Sequence, residues 1–292
     1  MSLPLLQPFT VVDGGLSTVL EEMGEHAGGA LWTASALLDR PWLLTEAHRR
    51  YVQAGADVVI TASYQASEEG FVAAGLSASQ ARAALASTTS LARQSGAACV
   101  AASVGPFGAC LADGSEYHGR YSADWHAVRR FHRSRLEVLV DSGPDAFAIE
   151  TMPGAFEAVI VLEELRALTD APAWVTFTCD GPHTTCAGDL MADAVAAVAP
   201  EAQAVGVNCT HPSHVGALLR HAASVTDLPL VAYPNHGAAW DAGKKCWVGT
   251  ADGTDLPLHL DEWLAAGVRL VGGCCGVGTK GVTALAAARA HH

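Results

Sequence analysis

Short, nearly continuous apolar runs recur along the chain at residues 11–13, 58–61, 100–103, 146–150, 174–177, 205–208, 230–233 and 269–272. Each is rich in valine, alanine or leucine, and most end on a polar residue, glycine or cysteine. Between them lie stretches with helical spacing of apolar positions, such as 43–54, 125–140, 155–168 and 192–199. Strands that are apolar on both faces and alternate with helices predict a parallel sheet covered on each side. Eight such runs over roughly 250 residues match a (β/α)₈ barrel, an α/β TIM barrel. A doubly wound open sheet accommodates eight strands as well. No Pro-rich or Ser-rich linker interrupts the pattern and no internal repeat emerges, so residues 1–292 are expected to form a single domain.

The polar residues that break the pattern sit at the ends of these runs: Asp13, Tyr64, Glu150, Asn208, Cys209, Asn235, Cys274 and Cys275. In a parallel barrel every strand C-terminus opens onto one face, so a single mouth would gather them all. The longer segment after the third run, residues 105–125, carries Gly-Pro-Phe-Gly and then Asp-Gly-Ser-Glu-Tyr-His-Gly, and reads as a functional loop.

Composition narrows the function. Half of the 292 residues are hydrophobic, 16% are charged and the mean hydropathy is +0.23, enough for a large core. The net charge of −13 repels a phosphate backbone and argues against nucleic acid, while it suits a cationic small molecule. The uncharged stretch 94–112 is interrupted by Gly, Ser and Pro and is not a membrane span. No basic leader precedes an apolar segment, which predicts a cytoplasmic protein whose eight cysteines are free thiols or metal ligands rather than disulfides.

Cys99, Cys110 and Cys179 are read as small buried apolar residues. Cys209, Cys274 and Cys275 differ, because each directly follows a strand-like run and the vicinal pair is flanked by Gly273 and Gly276. Adjacent strand residues face opposite ways, so two neighbouring thiols reach one ion only where the strand has ended. Three sulfur ligands on one zinc would leave a fourth position open to substrate; a redox-active vicinal disulfide is the competing reading. Three thiolates leave zinc with net charge −1, poor at acidifying water but able to hold another thiol as thiolate. Asp13 and Glu150 read either as turn and buried-pair residues or, together, as a cradle for an amino-acid ammonium. Inside a barrel Glu150 would be costly unless it met a cation. The match of residues 276–281 to a dinucleotide fingerprint fails, since neither a second strand nor an acidic residue follows at the required distance.

Taken together, these segments resemble the homocysteine S-methyltransferase family over nearly the whole chain. The resemblance is carried by Val12-Asp13-Gly14-Gly15, Ile60-Thr61-Ala62-Ser63-Tyr64-Gln65-Ala66, Ser103-Val104-Gly105-Pro106 and Leu111-Ala112-Asp113-Gly114-Ser115-Glu116-Tyr117. It continues in Glu150-Thr151, Gly206-Val207-Asn208-Cys209, Tyr233-Pro234-Asn235 and Gly272-Gly273-Cys274-Cys275. It implies a zinc barrel with Cys209, Cys274 and Cys275 as ligands and Asn235, or else Tyr64, completing the metal sphere before substrate arrives. It also implies that Asp13 and Glu150, with Thr151 beside them, hold the amino group of homocysteine, and that Tyr117 offers an aromatic face to a cationic donor. The implied reaction moves a methyl group from S-methylmethionine, or alternatively S-adenosylmethionine, to homocysteine, with no cobalamin or folate module. A selenol acceptor fits the same family. His236 and the segment 179–186 depart from the family pattern and bear on donor or acceptor preference.

Overall fold

The computed structural model describes residues 2–25, 32–111, 113–237, 239–241, 246–248 and 251–292. Eight strands form one parallel sheet: β1 (Thr10–Val11), β2 (Val58–Ile60), β3 (Cys99–Val104), β4 (Ala146–Met152), β5 (Ala173–Phe177), β6 (Ala204–Asn208), β7 (Leu230–Tyr233) and β8 (Val268–Val271). Their order around the sheet is β1-β8-β7-β6-β5-β4-β3-β2. The two ends meet through a parallel bridge between Val12 and Val58, flanked by Asp13 N–H to Val58 O (3.0 Å) and Asp57 N–H to Val11 O (2.8 Å). That closure makes the sheet a (β/α)₈ barrel and excludes the open, doubly wound arrangement.

The strand period of two sorts the side chains. Val58, Ala101, Ala146, Ala148, Trp174, Ala204, Val231, Tyr233 and Leu270 form one packed cluster, the barrel interior. The alternate residues, among them Val104, Phe147, Ile149, Val175, Phe177, Val205 and Val207, join the larger core against the helices. The interior holds several alanines around one fully buried indole, Trp174. Gly206 in β6 belongs to this tight packing: a Cβ there would collide with the backbone carbonyl of Val231 on β7, which is hydrogen-bonded in the sheet and cannot retreat. Gly206→Ala is therefore expected to cost roughly 3 kcal/mol or more, read as a fall in soluble yield and in thermal midpoint.

Helices flank the strands as the apolar spacing predicts, within one or two residues of the expected bounds: Pro41–Gln53, Trp125–Asp141, Ala155–Arg166 and Met191–Val198. Asp124 sets the start of Trp125–Asp141 by accepting from Ala127 N–H at 2.8 Å, and Val128, Phe131, Leu136 and Leu139 give that helix its buried face. An antiparallel pair of short strands, Ala239–Asp241 with Cys246–Val248, lies between β7 and β8 and has no counterpart in the sequence reading. Its residues are too few to show a period. No helix among the described residues is long and apolar enough to cross a membrane.

Candidate metal and substrate site

The strand C-termini open onto a cavity of about 350 Å³. Its wall includes Asp13, Tyr64, Glu150, Asn208, Cys209, Cys274 and Cys275 of the strand-end set, joined by Thr151 and Tyr117, while Asn235 of that set lies outside it. No lysine, arginine or histidine is in that wall among the described residues.

Cys209 follows β6 with a left-handed backbone (φ +49°), which turns its side chain off the strand direction. Its carbonyl accepts from Thr178 Oγ1 at 3.1 Å. Cys274 N–H donates to Pro234 O (2.7 Å), Gly276 N–H to Thr18 Oγ1 (3.0 Å), and the Cys275 carbonyl accepts from His236 N–H (3.0 Å). Gly276 takes φ +77°, and a side chain there would strike the His236 ring. The glycine flank is thus required both by conformation and by space. The thiols converge: Cys209 Sγ lies 3.7 Å from Cys275 Sγ, Cys274 Sγ lies 4.0 Å from Cys275 Sγ, and all three fall within 4.8 Å of one another.

Three sulfurs about 2.3 Å from a tetrahedral zinc would stand about 3.8 Å apart, so the spacing fits that ion. Charge leads to the same result. Hydrogen bonds from Cys209 and Cys274 hold the Cys275 thiol well below its ordinary value, while contacts with Cys209 and Cys275 push the Cys274 thiol well above its own, so in the absence of a cation the thiols oppose one another's ionisation. Three thiolates together need a divalent partner.

Asn208 organises the surroundings. Its Oδ1 accepts from Thr151 N–H (2.7 Å) and its Nδ2 donates to Thr151 Oγ1 (2.8 Å), clipping the end of β6 to β4. Thr151 is itself left-handed (φ +59°), at the point where the β4–β5 register slips. Tyr117, on the turn Ser115–Tyr117, is partly exposed yet brings its hydroxyl to 4.0 Å from Cys209 Sγ. Of the two candidates for a fourth ligand, Tyr64 lines the cavity and Asn235 does not. Asn235 Oδ1 is nevertheless a buried oxygen with no hydrogen-bond partner among the described residues.

Glu150 meets no cation among the described residues; it accepts from Ser103 Oγ (2.5 Å) and Tyr233 Oη (3.0 Å). Tyr233 Oη in turn accepts from Trp174 Nε1 (3.1 Å) and contacts Thr176 Oγ1 (2.9 Å). Burial pushes the Glu150 carboxyl up to about 7. Asp13 accepts from Ile60 N–H (2.9 Å) and is held well above the ordinary carboxylate value, first by burial and then by nearby Glu150 against that hydrogen bond. Ser103, Thr176 and Tyr233 had no role in the sequence reading. Their signal was the inward period of two on β3, β5 and β7, legible only once the register is known. Cys99 and Cys179 are buried as expected; Cys110 is only half-buried and hydrogen-bonds Gln65 O at 3.4 Å, so it is not a plain apolar residue.

A (β/α)₈ barrel whose mouth sets three thiols able to hold a metal ion beside two buried carboxylates defines a class: barrel enzymes with a sulfur-rich, acid-lined site at the strand C-termini. Within it, the chain belongs to the homocysteine S-methyltransferase family, whose model matches residues 10–289. The chain is 40% identical over 295 residues to a homocysteine S-methyltransferase of Escherichia coli (strain K12), with 96% of this chain and 95% of the relative covered. It is 36% identical to a selenocysteine Se-methyltransferase of Brassica oleracea var. italica, covering 91% and 85%. Among solved structures, the metallated form of the homocysteine methyltransferase MmuM from Escherichia coli superposes with a TM-score of 0.85 at 39% identity, with 96% of each chain covered.

Proposed function

We propose that this enzyme transfers a methyl group from a sulfonium donor, S-methylmethionine in the first instance, to the thiol of homocysteine, with zinc held by Cys209, Cys274 and Cys275. The observation that carries the reading is the cluster of three sulfurs within 4.8 Å of one another, set in a cavity with buried acids and no basic wall. Zinc in that cluster would keep the incoming homocysteine sulfur as a thiolate at neutral pH. Asp13 and Glu150 receive the substrate ammonium, and the positive charge they lack in the free protein arrives with homocysteine. The Asn208–Thr151 clip holds the cysteine turn against the substrate carboxylates. The thiolate electron pair forms the new S–CH₃ bond as the donor's S–CH₃ bond breaks, and that pair stays on the departing sulfur. One sulfonium and one thiolate thus become two neutral thioethers, which from S-methylmethionine are two methionines. A selenol acceptor is the variant reading favoured by the Brassica relative. Reduced thiols of this kind suit the cytoplasm.

Reduced, zinc-loaded protein should form methionine from homocysteine with S-methylmethionine, more slowly with S-adenosylmethionine and not with betaine. A chelator should abolish the activity. Equal turnover after metal removal would overturn the role of zinc, and turnover with betaine alone would overturn the sulfonium donor.

A further inference from the structure

The cavity holds one acid that neither the metal cluster nor the homocysteine ammonium employs. Glu116 is 9% exposed, lines the cavity, and its Oε2 is buried with no hydrogen-bond partner among the described residues. No ion pair among the described residues involves it. A carboxylate so placed is destabilising unless something outside the chain completes it. Just ahead of the turn Ser115–Tyr117, Asp113 Oδ1 accepts from Ser115 N–H at 2.9 Å. The turn is seated directly on the helix Phe107–Leu111, where a Cβ at Gly108 would collide with Glu116 N and Ser115 Oγ. The Glu116 backbone is therefore held in place, and its carboxyl meets backbone N–H groups of the turn, at Glu116 and Gly114, but no cation among the described residues.

Two substrates bring three positive charges: the homocysteine ammonium, the donor ammonium and the sulfonium. Asp13 and Glu150, which lie close enough for the Glu150 charge to oppose ionisation of Asp13, form the ammonium cradle. Glu116 comes from a different element, the turn that also carries Tyr117, whose hydroxyl is 4.0 Å from Cys209 Sγ. It lines the same cavity as the thiols, near enough to Cys275 for that thiolate's charge to oppose its ionisation. Burial holds its carboxyl above the ordinary value, chiefly by desolvation, as expected for an acid awaiting a counter-charge. We propose that Glu116 is the specificity-determining carboxylate for the methyl donor, pairing with the sulfonium-bearing end and rejecting its neutral thioether counterpart.

The assignment rests on the methyl-transfer reading above and extends it in one direction. The sulfonium charge disappears during transfer, so Glu116 contacts a cation before the reaction and a neutral product after it. Such a group strengthens donor binding more than the transition state, and it helps the product leave. Its loss should appear in the donor KM rather than in kcat.

The test compares wild type with Glu116→Gln and Glu116→Asp. For Glu116→Gln the donor KM should rise roughly tenfold to a hundredfold, the range expected for a charged contact. The homocysteine KM should stay within about twofold, and kcat should stay within about threefold of wild type. Glu116→Asp should recover part of the donor KM. Calorimetric titration with S-methylmethionine and with methionine supplies a readout that does not depend on turnover. Wild type should bind the sulfonium more tightly than the thioether, and Glu116→Gln should bind the two alike. The thermal midpoint of Glu116→Gln should equal or exceed that of wild type, because a side chain with a structural role would lower it. Retained discrimination in Glu116→Gln, with a wild type that does discriminate, overturns the Glu116 assignment alone. A wild type that binds no sulfonium overturns the donor reading and the assignment with it.

Discussion

Replacing Cys209 with serine should give a folded protein that holds no zinc and transfers methyl groups at least about a thousandfold more slowly, the several kcal/mol a metal centre supplies. Serine carries the same Cβ and tolerates the left-handed backbone at φ +49° about as well as cysteine does. It also keeps the carbonyl that Thr178 Oγ1 engages. What it cannot provide is a thiolate. Two sulfurs remain, Cys274 and Cys275, 4.0 Å apart, and a hydroxyl does not ionise to replace the third. Zinc per chain should fall from one to near zero by elemental analysis, with an unchanged far-ultraviolet circular dichroism spectrum. The thermal midpoint must be compared with metal-free wild type, because bound metal stabilises the folded state by mass action and the variant forfeits that contribution. A variant that binds zinc normally and turns over at the wild-type rate would remove Cys209 from the ligand set.

That Cys209 can be placed beside Cys274 and Cys275 from sequence reflects where it sits. In a parallel barrel every strand end reaches the same mouth, so Asn208-Cys209 after one apolar run and Cys274-Cys275 after another had to be neighbours once the barrel was accepted. Closure was the harder step. It depends on the bridge between Val12 and Val58 and on the two hydrogen bonds beside it, which join residues over forty positions apart and leave no local mark. The chemistry around Glu150 was hidden for a related reason. β4 reads Ala-Phe-Ala-Ile-Glu, apolar on both faces, and only the paired register shows that Ala146 and Ala148 face the interior with Glu150 above them. Ser103 and Tyr233 reach the same carboxylate from β3 and β7. A buried acid calls for a cation, either within the chain or on an amino-acid substrate. Among the described residues the barrel supplies only hydroxyls to Glu150, which supports the proposed reading that the cation comes with substrate.

Glu150→Gln should weaken homocysteine binding and stabilise the metal-free protein at the same time, with a gap between variant and wild type that opens as pH rises. Glutamine keeps the shape of the side chain, and the Ser103 and Tyr233 hydroxyls can each donate or accept, so its amide finds partners where the carboxylate did. The charge is what changes. Burial raises the Glu150 carboxyl from an ordinary 4.5 to about 7. Between those values the folded protein retains a proton that the unfolded chain has released. The wild type therefore loses stability as pH climbs through that window and levels off above it. The full shift corresponds to roughly 3 kcal/mol at pH 8, and glutamine, which does not titrate, escapes it. Thermal midpoints of the two proteins should nearly coincide at pH 4.5 and separate by pH 8, with the variant higher; a gap independent of pH would mean that Glu150 is not the buried acid described. For catalysis the same carboxylate must be ionised to meet the ammonium. The wild-type homocysteine KM should therefore rise as pH falls through about 7, and the variant KM should sit roughly tenfold to a hundredfold higher with little pH dependence there. Unchanged KM and kcat in Glu150→Gln would exclude it from the substrate cradle. An acid that weakens the empty barrel and strengthens the occupied one is retained for what it binds, since a glutamine at that position would make the more stable protein.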